Sequence, residues 1–145
     1  MDVHDLVAIE QIKQLKSRYF YCVDMKQWEG WRDVFAPDGE LHVPEIQPEP
    51  IVGIDAILNF IPPILDGVKT VHHGHMPLIE ILGPDRATGI WAVEDILFWP
   101  EARYAGTAAG RMHGYGHYHE DYVRLAQGWR IQRLRLDRLH YGPIA

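Results

Sequence analysis

Three features of this sequence predict an α+β fold in which three helices pack on one face of a strongly curved antiparallel sheet. Near the N-terminus, Ala8, Ile12, Leu15, Tyr19 and Cys22 recur at steps of four and three, which places them on one stripe of an amphipathic helix. From Thr70 onward, long runs alternate apolar and polar residues and are broken by turn signals at Gly83-Pro84-Asp85 and Ala126-Gln127-Gly128, the pattern of half-buried strands. The order of elements is helix, helix, strand, helix and then a meander of four strands. Helices segregated from a run of strands in this way belong to the α+β class. At 145 residues the chain reads as one domain, 1–145, and a domain of this size buries roughly 68–70% of its unfolded surface. That is enough for a core with an internal pocket.

Composition narrows the classes of function. The formal net charge of −6 speaks against nucleic acid as the main partner, because a phosphate-binding surface carries a basic excess. The local exception is the run of arginines from Arg124 to Arg138, in which Arg130, Arg133 and Arg135 read as a solvated strand face. No apolar run approaches the ~20 residues of a membrane span, and the start Met-Asp-Val-His-Asp lacks an apolar leader. No membrane association and a cytoplasmic location are expected. The single Cys22 makes no internal disulfide and reads as a small buried hydrophobe. Five Trp, seven Tyr and four Phe are a generous supply for lining a cavity.

The first helix starts near Asp5 and aims Tyr19 at the core, with Lys13, Lys16 and Ser17 on other faces. Asp24-Met25-Lys26-Gln27 fits a capping box, with Asp24 as N-cap of a second helix that carries Trp28, Trp31, Val34 and Phe35 inward. Ala36-Pro37-Asp38-Gly39 reads as a turn, Glu40 to Val43 as a short strand and Pro44 to Pro50 as a loop. Gly53 to Asp66 reads as a third helix that Pro62 and Pro63 kink or end early. The next strand, Thr70 to Leu82, opens on His72, His73 and His75, which β-propensity does not supply.

Strand parity then picks out two charges. Between Arg86 and Trp99, Asp95 shares a face with Ala87, Gly89, Trp91, Val93, Leu97 and Trp99. On the last strand Arg138 shares a face with Leu134 and Leu136. A buried carboxylate must be paired or shifted in pKa. Each of these groups has an ordinary use: Tyr19 as a core tyrosine, Asp24 as a cap, Asp95 and Arg138 as a buried salt bridge. Beside an imidazole they also describe a proton-transfer site, in which a carboxylate orients and charge-stabilises the histidine while a phenol polarises a carbonyl. A metal site is the rival use of His72, His73, His75, His113, His117 and His119, since His117 and His119 share a strand face.

The residues Arg18-Tyr19-Phe20 with Asp24 and Trp28, the run Thr70 to His75, Ala87-Thr88-Gly89 followed by Glu94-Asp95, and Gly128-Trp129 leading to Arg138 resemble the SnoaL-like branch of the nuclear-transport-factor-2-like superfamily. The similarity covers nearly the whole chain and is greatest to lyases of the bile-acid 7α-dehydratase and scytalone dehydratase type, with hexachlorocyclohexane dehydrochlorinase sharing the layout. It implies a cone-shaped α+β barrel, a lyase that needs no cofactor and no metal, and a homo-oligomer, a trimer or else a dimer. It further implies Tyr19 as the catalytic tyrosine, Asp24 as its neighbouring aspartate, His72 as the base, Asp95 as the aspartate paired with that base, and Arg138 as the late arginine of the site. The expected reaction is elimination of water from a small apolar or aromatic hydroxy-carbonyl compound. A non-catalytic ligand binder and a polyketide cyclase or isomerase are the alternatives on the same fold. The chain is shorter at both ends than the bile-acid enzyme, and the Pro44 to Pro50 loop and Pro62-Pro63 reshape the pocket mouth, so a steroid is not specifically expected.

Overall fold

Asp2 begins the first helix by accepting a hydrogen bond from the Asp5 amide at 2.9 Å, while the Asp5 carboxylate accepts from the Asp2 amide at 3.2 Å. This reciprocal cap starts α1 (Val3–Asp24) earlier than its apolar stripe indicates. The structure, a computed structural model, describes residues 1–144. The remaining elements are α2 (Trp28–Arg32), β1 (Phe35–His42), β2 (Ile51–Val52), α3 (Ile54–Leu65), β3 (Lys69–Ile81), β4 (Arg86–Trp99), β5 (Gly110–Leu125) and β6 (Gly128–Pro143).

The buried face of α1 is wider than the stripe Ala8, Ile12, Leu15, Tyr19, Cys22. Lys16, Phe20 and Val23 join it, and Lys16, expected on an outer face, is fully buried. The expected cap at Asp24 also fails. Asp24 is the last residue of α1, and α2 starts from Gln27 with no side-chain cap. The chain instead leaves α1 through Lys26 at φ 57°, with the Lys26 amide bonded to the Val23 carbonyl at 3.3 Å and the Gln27 amide to the Cys22 carbonyl at 2.8 Å. These two bonds close the helix in a Schellman arrangement and free the Asp24 carboxylate to face the sheet.

The six strands form one sheet in the order β2-β1-β6-β5-β4-β3. It is strongly curved and unclosed, with β2 and β3 as edges, and the three helices pack on its inner face. Two details depart from expectation. β1 pairs with β6 in parallel, so the sheet is not wholly antiparallel. The stretch read as a turn, Ala36 to Gly39, lies inside β1 as an irregular segment where the register shifts between Phe35 and Glu40. The two-residue β2, between Pro50 and Gly53, carries too little pattern to be read from sequence.

α3 runs through Pro62 and Pro63 to Leu65. Both prolines sit in its last turns, where the buried ladder Ile57, Ile61, Leu65 keeps the helix on the core, and Arg103 donates to the Pro63 and Ile64 carbonyls at 3.4 and 2.8 Å, satisfying the helix end. On β6, Gln132 and Leu139 have no partners across β5, where the register shifts. The first bulge keeps both Ile131 and Leu134 buried and turns Arg130, Arg133 and Arg135 outward, as the sequence predicts. Among the described residues, no helix is long and apolar enough to cross a membrane.

Candidate active site

The register of the sheet sets the site. His72 on β3 lies opposite Asp95 on β4, and Asp95 lies opposite Gly114 on β5. Asp95 is buried, at 1% exposure, as its parity requires. Arg138 reaches it from β6 across the space that Gly114 leaves: a Cβ there would overlap the guanidinium and stand 2.5 Å from Asp95 Oδ1. Arg138 therefore donates to both Asp95 oxygens, at 2.7 and 2.8 Å, the bidentate geometry that suits this pair. Its Nε donates to Glu45, in the loop after β1, and its guanidinium carbon lies 4.5 Å from the Tyr141 ring centre. Burial works against the cation, but the bonds and charges of Asp95 and then Glu45 outweigh it and raise its pKa.

Asp24 is the carboxylate that holds the histidine. His72 Nδ1 is 2.6 Å from Asp24 Oδ1 and the His72 amide donates to Asp24 Oδ2 at 3.0 Å, whereas His72 Nε2 stands 3.7 Å from Asp95 Oδ2. The expected pairing of His72 with Asp95 is thus a contact beyond hydrogen-bond length, and the orienting bond comes from Asp24. Thr70 also donates to Asp24 Oδ1 at 2.9 Å. Burial raises the Asp24 pKa, but hydrogen bonds and charge from His72 more than offset this and hold it below its ordinary value. An ionised Asp24 only accepts, so Nδ1 carries a proton and Nε2 presents its lone pair. Phe20 stacks on the imidazole with ring centres 6.0 Å apart.

Tyr19 is buried at 5% exposure and meets Tyr118 with ring centres 5.9 Å apart. Burial first, and the Glu120 charge second, push its phenol pKa up, so it stays a proton donor at neutral pH. Tyr19, His72, Asp95, Arg138, Tyr118 and Tyr104 line one cavity of about 60 Å³ whose other walls are aliphatic or indole side chains, Trp31, Leu97 and Leu136 among them. Ile46, beside Glu45 in the Pro44 to Pro50 loop, also lines it. Asp24 stands behind the imidazole, outside the lining.

The remaining histidines of the strands lie elsewhere. His73 and His75 are exposed, and His113, His117 and His119 project from the opposite face of β5, where His113 Nε2 is 2.9 Å from Glu94 Oε1. Among the described residues no set of three His, Cys, Asp or Glu side chains is arranged to hold a metal ion.

A family model of the SnoaL-like domain matches residues 4–135. The chain belongs to the SnoaL-like domain family. Among curated proteins it is 26% identical over 144 residues to the probable cyclase FGR4 of Gibberella zeae, spanning 92% of this chain and 93% of that protein. Among solved structures it is 27% identical to a Mycobacterium tuberculosis protein of unknown function, over 92% of this chain and 73% of that one, with a TM-score of 0.76. It is 20% identical to a type 2 hexachlorocyclohexane dehydrochlorinase, over 100% of this chain and 94% of that one, with a TM-score of 0.82. Likeness at that level shows a shared fold, the α+β cone of the nuclear-transport-factor-2-like superfamily.

In this SnoaL-like chain the five side chains singled out by sequence are all brought together, although sequence missed four that complete their surroundings. Tyr118 faces the cavity from β5, and Glu45 holds Arg138. Lys16 and Glu120 lie behind Tyr19, with Lys16 Nζ 2.7 Å from Glu120 Oε2 and 3.9 and 3.6 Å from the Tyr19 and Tyr118 ring centres. The parity signal that finds Asp95 also finds Glu120, which shares the inward row of Met112, Tyr118 and Tyr122. Lys16 is signalled by its spacing of four from Ile12 and three from Tyr19.

Proposed function

We propose that this protein is a cofactor-independent lyase that eliminates water from a small, neutral, apolar or aromatic hydroxy-carbonyl compound. The observation that carries the reading is an imidazole fixed by Asp24 through Nδ1, with its free Nε2 in a largely apolar cavity beside the protonated phenol of Tyr19. His72 Nε2 takes the proton from the carbon next to the carbonyl, and the electrons of that C–H bond form an enolate whose oxygen accepts a hydrogen bond from Tyr19. As the enolate reverts to a carbonyl, its electrons form the new carbon–carbon double bond and expel the hydroxyl, which leaves as water with the proton returned by His72. Proton removal and return on one side of the substrate make the elimination syn. Asp95 and Arg138 position the substrate and, lying on the far side of the imidazole from Asp24, favour its charged form through the Asp95 carboxylate.

The polar lining also bears on the substrate class. Arg138 faces two carboxylates, Asp95 and Glu45, so its charge is already balanced and, among the described residues, the cavity lining holds no other cationic side chain for a carboxylate or phosphate; a neutral compound fits better. A cavity of about 60 Å³ favours a small compound.

The identity to a probable cyclase favours one second reading: the same enolate attacks a carbonyl carbon and closes a ring instead of expelling hydroxide. A screen of cyclic hydroxy-ketones and open-chain poly-ketones by mass spectrometry separates the two. Loss of one water with a new conjugated double bond, absent in His72→Ala, supports the lyase, and ring closure supports the cyclase. Binding without any product under His72-intact conditions leaves a ligand-binding domain. We propose a homo-oligomeric assembly as well, a trimer ahead of a dimer; a light-scattering mass of 16.7 kDa, that of one chain, would overturn it.

A further inference from the structure

The turn that ends α1 is built on an unexpected residue. A Schellman closure needs a left-handed backbone at the position after the cap, and glycine is the usual occupant because any Cβ there is crowded. Here the position is Lys26, at φ 57°, the one described non-glycine residue with positive φ. Strain of this kind persists where the surroundings require it and clusters at functional sites. The side chain supplies a reason. Lys26 Nζ, half-buried, donates to the Val23 carbonyl at 3.1 Å and to Thr70 Oγ1 at 3.0 Å.

An ammonium has three donors and no acceptor. Towards Lys26 the Thr70 hydroxyl can only accept, so its own proton is left to point at Asp24 Oδ1, 2.9 Å away. That oxygen is the one 2.6 Å from His72 Nδ1, and the other Asp24 oxygen receives the His72 amide. The ammonium therefore sets the direction of the Thr70–Asp24 bond, and the carboxylate so held receives Nδ1–H and the amide of His72. The geometry points to Lys26 as a positioning residue for His72: acting through Thr70, it fixes the Asp24 carboxylate and so holds the imidazole in the form that presents Nε2 to the cavity. It touches neither the cavity nor any reacting atom. The inference rests on the proposed role of His72 as base, and its test needs no substrate.

If Lys26 were only a helix cap, Lys26→Gly would relieve the backbone and leave His72 alone. If it positions His72, the same change separates the two properties. The melting temperature of Lys26→Gly is expected to stay level or rise. The His72 ring, followed by proton–nitrogen NMR of the free protein at neutral pH, is expected to change. In the wild type the Nδ1 proton is held, resonates downfield and exchanges slowly, with Nε2 unprotonated. In Lys26→Gly and in Thr70→Val that proton is expected to exchange roughly tenfold faster or more, the scale of one lost hydrogen bond to a charged group, with both ring tautomers populated. Thr70→Ser, which keeps the hydroxyl, restores the wild-type spectrum. Unchanged exchange in Lys26→Gly, whatever Thr70→Val does, overturns the inference and leaves His72 as the proposed base. A wild-type ring protonated at Nε2 instead overturns the proposed base, and the inference with it.

Discussion

Two buried acid–base clusters lie along α1, built from the same kinds of group but with opposite access to the cavity. At the cavity, Asp24, His72, Asp95 and Arg138 are arranged so that one nitrogen, His72 Nε2, is left without a hydrogen-bond partner and faces open space. Behind it, every atom of the second cluster is engaged. Lys16 and Glu120 have side chains at 0% exposure, the second Glu120 oxygen accepts the Tyr122 hydroxyl at 2.6 Å, and that hydroxyl accepts the Trp91 indole N–H at 2.8 Å. The Lys16 ammonium rests on the faces of Tyr19 and Tyr118, a favourable cation–π arrangement once desolvated. Burial of charge alone is thus no mark of a reactive site. The unfilled valence is what separates a group that can take a substrate's proton from one that only holds its neighbours.

If that contrast is right, His72→Ala takes turnover to background in a substrate assay and changes folding stability little, because the imidazole lies at the cavity wall and little packed volume goes with it. His73→Ala, one residue along and on the opposite face of β3, leaves turnover near wild type. Essential His73 with dispensable His72 would invert the assignment. The converse holds for the second cluster. Lys16→Met leaves the Glu120 carboxylate buried without its cation, and removing one partner of such a pair typically costs about 3–5 kcal/mol. Against a total stability of about 5–15 kcal/mol, that shifts urea denaturation by a large fraction of its midpoint. Lys16→Met/Glu120→Gln removes both charges, keeps an acceptor for Tyr122 and recovers most of the loss. A single variant as stable as the wild type would show that the pair is not desolvated.

A finer comparison divides the two carboxylates flanking His72. Asp24→Asn removes the charge bonded to Nδ1, and Asp95→Asn removes one 3.7 Å from Nε2; both should slow turnover, by about tenfold to a thousandfold, since losing an opposite charge within about 4–6 Å disfavours the imidazolium by about 1–3 pKa units. The acidic limb of the pH–rate profile should move to lower pH in both, and further in Asp24→Asn. A larger shift in Asp95→Asn would return the orienting role to Asp95. An unmoved limb in Asp95→Asn would leave Asp95 as the structural partner of Arg138 alone.

The same comparison explains what could be read from the sequence. Strand parity is strict, so one charge in an apolar row of β4 or β6 declares itself, and Asp95 and Arg138 were legible for that reason. Helix faces are broader. A lysine between Ile12 and Tyr19 falls near the edge of the stripe, and whether it is solvated or buried depends on what β5 places above it. That partner, Glu120, is 104 positions away in sequence. Asp24 was legible as a residue needing a reason, but its local pattern favoured a cap, and only the left-handed turn at Lys26 re-aims it at β3. The parallel pairing of β1 with β6 and the persistence of α3 through two prolines are tertiary outcomes that overrule local propensity. Glu45 lies in a proline-rich loop without period, where no pattern marks an inward side chain.

The smallest expected effects are in the pH dependence of stability, and the two clusters should show it at opposite ends of the scale. Burial pushes the Lys16 pKa down from 10.5 to about 8, with Glu120 opposing the shift. A lysine depressed in the folded state bears its desolvation cost in full below pH 8, where both states are charged. Between pH 8 and 10.5 the unfolded chain binds the proton that the folded one has released, so stability rises with pH across that window. The rise is at most roughly 3–4 kcal/mol, from about 1.4 kcal/mol per unit, and it should appear in the difference between wild type and Lys16→Met/Glu120→Gln. Asp24 gives a slope of the same sign at the acid end. Its folded pKa lies below the ordinary carboxylate value, so its contribution is complete above pH 4 or so, where an ordinary carboxylate is ionised, and is lost as pH falls through the lower folded value. It is the smaller of the two because Asp24 is only half-buried and solvent screens it. Urea titrations of wild type and Asp24→Asn from pH 2 to 6 should converge at the acid end; a gap that stays constant over that range would show that the Asp24–His72 ion pair adds nothing to the stability of the fold.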